Sequence, residues 1–270
     1  MEFFRAIIVG LVQGLTEFLP VSSSGHLVLA QHLLGVESPG ITFEVFLHLG
    51  TFVSVLWVFR RRISEIIKGL LSYLAPKNID QFKGAENRWF AWLLIVGTIP
   101  TALIGFLLAG RVEAAFADPS FVGYALLITG VILFVADRLP GGAKDINKTS
   151  FLDVIIIGIA QGLAVFPGIS RSGSTISAAL FRKLDKRTAA EYSFLLSLPA
   201  IGGAAVFDFV GIIRNPAVSH NWVFYIVGAI AAGLSGVLAI EIFIRLLVRN
   251  RLTYFAVYCW LVGIIAIVFL

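Results

Sequence analysis

The chain has 270 residues, 58% of them hydrophobic and 14% charged, with a mean hydropathy of +0.93. Soluble domains carry about 25% charged residues, so this composition excludes an ordinary soluble domain and points to an all-α polytopic membrane protein built as one bundle. The net charge of +5 lies in loops between apolar segments and gives no sign of nucleic-acid binding, and the single Cys259 excludes both an intrachain disulfide and a cysteine-based metal cluster.

The N-terminal apolar stretch contains Gln13 and Glu17 and has no small-residue cleavage pattern before Pro20, so it does not read as a cleaved signal peptide. Residues 3–19 follow a helical apolar pattern that stops at Pro20 and resumes at 26–35. Neither piece reaches the roughly 20 apolar residues that cross a hydrocarbon core. Together they predict a re-entrant helix–loop–helix hairpin over 3–35, a form tolerated where the loop is buried in protein or lines a wet cavity. Spans are predicted at 42–59, 89–108 and 120–137, with Pro100 kinking the second. Between the first two, residues 62–75 are amphipathic and are expected to lie on the membrane surface. A second interrupted pattern, 151–166 and 172–181, predicts another hairpin over 151–182. Spans at 189–213, kinked at Pro199, 222–244 and 252–270 complete the chain. Trp57, Trp89, Trp92 and Trp222 fall at span ends and read as interfacial anchors.

The two hairpins are copies. Residues 6–25 (AIIVGLVQGLTEFLPVSSSG) and 154–173 (VIIIGIAQGLAVFPGISRSG) match at ten of twenty positions, at a fixed offset of 148. Each repeat is one hairpin followed by three spans, 1–137 and 149–270, within a single domain. Three is odd, so the second repeat is inverted relative to the first. Broken helices in corresponding places of two halves mark a binding site near the midplane.

Basic residues set the orientation. With the N-terminus outside, 17 of the 21 lysines and arginines fall in cytoplasmic loops, at 60–88, 138–150, 182–188 and 245–251. Only Arg5, Arg111 and Arg214 fall outside, and Arg171 is within the membrane. The split places both termini outside the cytoplasm.

Arg171 is the sharpest functional candidate. An arginine deep in a bilayer costs about 2.5–3.5 kcal/mol even on the lenient insertion scale, and its flanks offer no carboxylate. A mobile phosphate would suit its planar fork, with Gly168 and Gly173 letting backbone N–H groups approach the same anion. The alternative is a permanent ion pair with Glu17. Glu17 itself lies one turn after Gln13. Next to an anionic substrate it calls for a divalent cation, Mg²⁺ or Ca²⁺, held by Glu17 and Gln13; otherwise it is a helix-end carboxylate bonded to loop N–H groups. Ser23 and His26 supply a hydroxyl and an imidazole three residues apart, a nucleophile with a base or a leaving-group acid. Ser22, Ser24 and Gly25, and Ser170, Ser172 and Thr175 with Gly173, either contact phosphate or cap the following helices. His32, Glu44, His48, Glu191, Asp208 and Glu241 carry less weight, with His48 and Asp208 foremost because both fall within predicted spans.

GLTEFLPVSSSGH at 14–26 and PGISRSGST at 167–175 resemble the two signature motifs of the undecaprenyl-diphosphate phosphatase family associated with bacitracin resistance, and length and hydropathy extend the resemblance over the whole chain. The resemblance implies a membrane hydrolase that removes the terminal phosphate of a polyprenyl diphosphate and recycles the lipid carrier for cell-wall synthesis. It implies a divalent cation and an active site opening to the extracytoplasmic face of the cell membrane, and it permits a homodimer. By position it makes Glu17 the carboxylate of metal and catalysis, Ser23 the nucleophile or phosphate ligand, His26 the motif histidine and Arg171 the phosphate-binding arginine. Gln13 stands where the family has Glu or Gln, so this chain has one carboxylate in that motif. Ser177 occupies the place where the other lipid-phosphatase superfamily, with its SR-x5-H motif, has histidine. The rival reading is a transporter or flippase for a phosphorylated polyprenol, since inverted repeats with broken helices also build carriers.

Overall fold

A computed structural model describes residues 2–34, 41–71, 81–116, 118–214, 222–249 and 251–269. Apart from a 3-10 turn at Ile146–Lys148 and a lone parallel bridge between Lys144 and Leu184, their regular structure is α-helical, in the order α1 (Glu2–Phe18), α2 (Ser23–Leu34), α3 (Ile41–Val58), α4 (Arg60–Leu71), α5 (Gln81–Phe116), α6 (Pro119–Asp137), α7 (Phe151–Leu163), α8 (Arg171–Phe181), α9 (Lys186–Arg214), α10 (Trp222–Val248) and α11 (Leu252–Phe269). Among the described residues, five helices are long and apolar enough to cross a membrane, drawn from α5, α6, α9, α10 and α11, and six if α3 and α4 count as one bent span. The bend between those two is 77°, at the junction where the apolar pattern ends and Arg60, Arg61 and Arg62 begin. The end of the predicted surface segment, 72–75, lies outside the described residues. Pro100 and Pro199 both sit inside continuous helices.

Large apolar side chains face outward along these helices, among them Ile99, Leu103, Phe106 and Leu107 on α5 and Ile230 and Leu234 on α10. Such exposure is untenable in water over so wide a surface and is what a lipid-facing wall requires. Inside, helices approach through small residues, because without a hydrophobic drive between helices in lipid, close backbone contact supplies the attraction. α1 packs on α10, and α7 packs on α5. The repeat glycines make both contacts: a Cβ on Gly10 would run into the carbonyl oxygen of Gly228, and one on Gly158 into that of Gly97. α6 and α11 pack on each other, as do α3 and α9.

Between the arms of each interrupted helix the chain turns sharply. α1 stops before Pro20 and α2 starts at Ser23; α7 stops at Leu163, before Pro167, and α8 starts at Arg171. The base of the second hairpin is closed by buried Asp153, which accepts from Lys144 Nζ at 3.0 Å and Arg182 Nε at 2.7 Å, while Ser150 and Asp153 form a capping box at the start of α7.

Candidate active site

The two tips meet inside the bundle, and equivalent residues build them alike. Ser170 Oγ accepts from Gly173 N–H at 3.0 Å and lies 3.3 Å from Ser172 Oγ. Its repeat equivalent Ser22 accepts from Gly25 N–H at 3.4 Å and lies 3.3 Å from Ser24 Oγ. These are serine caps that satisfy N–H groups at a helix start. The tips also hold each other. Gly168 N–H donates to Ser22 Oγ at 3.1 Å, and Ser172 Oγ donates to the Leu19 carbonyl at 3.2 Å. Ser22 has φ +68°, a left-handed conformation unusual for serine, and Gly168 has φ +91°. At Gly168 a side chain would strike Ala125 Cβ and the Val122 carbonyl at 2.6 Å. Thr129 of α6 fixes this turn, donating to the Gly168 carbonyl at 2.9 Å and accepting from Ser170 N–H at 3.0 Å.

At the junction, buried Glu17 gathers the chemistry. Arg171, the first residue of α8, donates through Nη2 to Glu17 Oε1. Ser23 Oγ donates to Glu17 Oε2 at 2.5 Å, and Gln13 Nε2 to the same oxygen at 3.0 Å. The Glu17–Arg171 ion pair therefore exists, but it does not exhaust the arginine: Nη1 is buried without a hydrogen-bond partner. A buried guanidinium N–H left open is expensive, and a phosphate oxygen would satisfy it. Gln13 Oε1 is a second buried polar atom without a partner.

These groups border a cavity of about 330 Å³. Glu17, Ser22, Ser23, Ser24, Ser170 and Arg171 give it polar lining, and Leu27, Val165, Phe116, Ala200, Ile201, Ala204 and Ala205 give it apolar lining. The other candidates lie elsewhere. Thr175 is fully buried, donating to the Arg171 carbonyl at 2.9 Å and paired with Ser193 Oγ at 2.6 Å. Ser172, Gly173 and Gly25 serve the caps and the contact between the tips. His26 is not brought to Ser23. A carbonyl can only accept, so His26 Nδ1–H donates to Ser22 O at 2.8 Å, and Nε2 accepts from Tyr258 O–H at 2.8 Å. Both ring nitrogens are committed to the protein.

Four further residues join the cavity. His48, secondary in the sequence, places Nε2 at 3.9 Å from Glu17 Oε2 while Nδ1–H donates to the Glu44 carbonyl at 2.8 Å. Glu44 lines the wall beside it. Thr101 and Gln161, which sequence reasoning missed, also line the cavity. Gln161 donates to Thr101 Oγ1 at 3.2 Å and to the Leu196 carbonyl at 3.4 Å, leaving Oε1 unpartnered. The one available signal was that Gln161 is the repeat equivalent of Gln13. The side chains of His32 and Asp208 lie outside the described residues.

The sequence of the chain matches the family described as bacitracin resistance protein BacA over residues 6–265. The chain belongs to the BacA family. Full-length relatives agree. It is 44% identical over 270 residues to an undecaprenyl-diphosphatase of Carboxydothermus hydrogenoformans, covering 99% of this chain and 97% of that one. It is 42% identical over 268 residues to one of Halothermothrix orenii, covering 99% and 98%. It is also 43% identical over 274 residues to one of Methanobrevibacter smithii, covering 98% and 96%. Both tips, with the ends of α1 and α8 that flank them, lie inside the range that matches the BacA family.

Proposed function

We propose that this BacA-family chain hydrolyses undecaprenyl diphosphate to the monophosphate and inorganic phosphate, recycling the lipid carrier for cell-wall synthesis. The observation that carries the reading is Ser23 Oγ bonded to Glu17 while Arg171, bonded to the other oxygen of the same carboxylate, keeps a buried N–H open toward an anion. A hydroxyl next to a base is an activated nucleophile. Glu17 takes the Ser23 proton as Oγ attacks the terminal phosphorus. Arg171 clamps the phosphate oxygens and meets the charge that develops on them. The monophosphate leaves, and water then releases phosphate from Ser23. In this scheme His26 is a positioning residue that ties the Ser22 backbone to Tyr258. A cavity of about 330 Å³ is at the small end of ligand sites, so it takes the diphosphate and the first carbons, and the rest of the tail lies in the bilayer.

A divalent cation fits as a site completed by substrate. Among the described residues no three His, Cys, Asp or Glu side chains form a closed metal site, but the orphaned Gln13 Oε1 beside Glu17 offers oxygen donors. Mg²⁺ is commonly held by one or two protein oxygens plus substrate phosphates. Glu17 and Gln13 would hold Mg²⁺ or Ca²⁺, which would supply charge neutralisation to the diphosphate.

The proposed topology has six spans and two re-entrant hairpins in inverted repeats, both termini and the cavity mouth extracytoplasmic. It is supported by the basic-residue split and by the matched packing of α1 on α10 and α7 on α5. In a Cys259→Ser background, a cysteine at Arg111 should react with an impermeant thiol reagent in intact cells and one at Lys148 should not; the reverse would sink the topology.

The test of function is phosphate release. Purified protein in detergent, with no ion gradient, should release inorganic phosphate from undecaprenyl diphosphate. Lipid movement in vesicles without phosphate release would favour the flippase reading instead.

A further inference from the structure

A second cavity, of about 810 Å³, opens where the basic loops gather. It is distinct from the first: along α3 its residue Val58 lies ten residues beyond His48, about 15 Å of helix. Its charged lining is Arg61, Arg62, Arg187, Arg245 and Arg249 against Glu65, Glu86 and Glu191. The acids are spent on one arginine. Arg62 donates through Nε to Glu191 at 2.8 Å, through Nη2 to Glu86 at 3.2 Å, and through Nη1 to Asn87 at 2.9 Å and Glu65 at 3.4 Å. Burial works against the charge of Arg62, but Glu191 and Glu86 outweigh it and hold its pKa above the ordinary arginine value. Among the described residues Arg245 has only a solvent-exposed pairing with Glu241 at 3.7 Å. Arg61, Arg187 and Arg249, from α4, α9 and the end of α10, have no ion pair among the described residues. Three guanidinium groups, from α4, α9 and the residue after α10, thus line the cavity without an ion pair of their own among the described residues. Beside them the wall is apolar: Val58, Phe59, Ile244 and Val248.

An arginine cluster over an apolar wall at the end of a membrane bundle has the chemistry of a phospholipid: a phosphate at the basic rim, acyl carbons along the wall. We propose that this cavity binds the headgroup phosphate of an anionic phospholipid through Arg61, Arg187 and Arg249, with Arg62 fixing α4 as its floor. The site does not depend on the catalytic reading. Occupancy would pin α4 to the ends of α9 and α10.

The test compares phosphatidylglycerol with phosphatidylcholine binding to the purified full chain by native mass spectrometry. Each arginine near a lipid surface contributes about a fivefold gain in affinity. Arg61→Gln/Arg187→Gln/Arg249→Gln should therefore weaken phosphatidylglycerol binding by about a hundredfold, leave phosphatidylcholine unchanged and leave phosphate release in detergent unchanged. The Lys68→Gln/Lys148→Gln/Arg251→Gln control, equal in charge but outside the cavity, should weaken binding far less than the cavity triple. If the triple glutamine variant fails to fold, the single variants should each lose about fivefold and the triple lysine variant should keep most of the binding. Equal losses in the two triples would mean diffuse surface charge and overturn the site. Inorganic phosphate displacing the lipid at equal concentration would make it a free-anion site and overturn the lipid assignment.

Discussion

At the tip between α1 and α2, Ser22 caps its helix by accepting from Gly25; at the tip between α7 and α8, Ser170 does the same with Gly173. Glycines equivalent in the repeat carry the arms, Gly10 against α10 and Gly158 against α5. The scaffold is thus held in common, and the chemistry is divided. Where the first copy has Glu17 and Ser23, the second has Val165 and Arg171. In the proposed scheme one tip holds the nucleophile with its base and the other the anion clamp, and the Glu17–Arg171 pair joins them across 154 positions of sequence.

If the division of roles holds, the largest effect belongs to Ser23. Ser23→Ala should lower turnover by on the order of 10⁴–10⁶-fold while the protein still binds substrate, because Arg171 and the loop N–H groups remain; lost binding with lost turnover would make Ser23 a ligand. On the clamp side, Arg171→Lys keeps the charge and loses the fork, and turnover should fall by about 10²–10³-fold. The Arg171→Leu/Glu17→Leu pair removes the ion pair without stranding either charge. It should fold and be inactive, and turnover in it would reduce both residues to structural partners.

Smaller effects probe the shared frame. Gly10→Ala and Gly158→Ala each gain about 1 kcal/mol of helix propensity but press a methyl on a backbone carbonyl that cannot give way. Each should destabilise by roughly 1–3 kcal/mol net, read in chemical denaturation, and by similar amounts; a cost in only one copy would break the equivalence. Smallest is the histidine. With both ring nitrogens bonded away from the cavity, His26→Ala and Tyr258→Phe should each lower turnover by less than about tenfold. A loss of 10²–10⁴-fold, the worth of a positioned acid or base, would restore His26 to the chemistry.

Much of this division could be read before the fold was known. Pro20 and Pro167 announce the broken helices, and the 148-residue offset pairs the tips. An arginine without a local carboxylate points away from its own segment, and the repeat points it to the tip holding Glu17. What escaped the sequence depended on distant helices. Ser23 and His26 look paired at a spacing of three, but the hydrogen bond to Tyr258, 232 residues away, turns the imidazole aside. His48, Thr101 and Gln161 look like ordinary polar residues of apolar helices until α3, α5 and α7 converge on one cavity. Pro100 lies inside α5, which runs from Gln81 to Phe116, and its ring packs against Gly158 of α7.

The central claim, a phosphoryl group carried on Ser23, has a direct stereochemical test. Undecaprenyl diphosphate whose terminal phosphorus is a thiophosphate made chiral with oxygen isotopes should be hydrolysed with retention of configuration, because two in-line displacements each invert. Inversion would mean that water attacks phosphorus directly, and would leave Ser23 as a phosphate ligand.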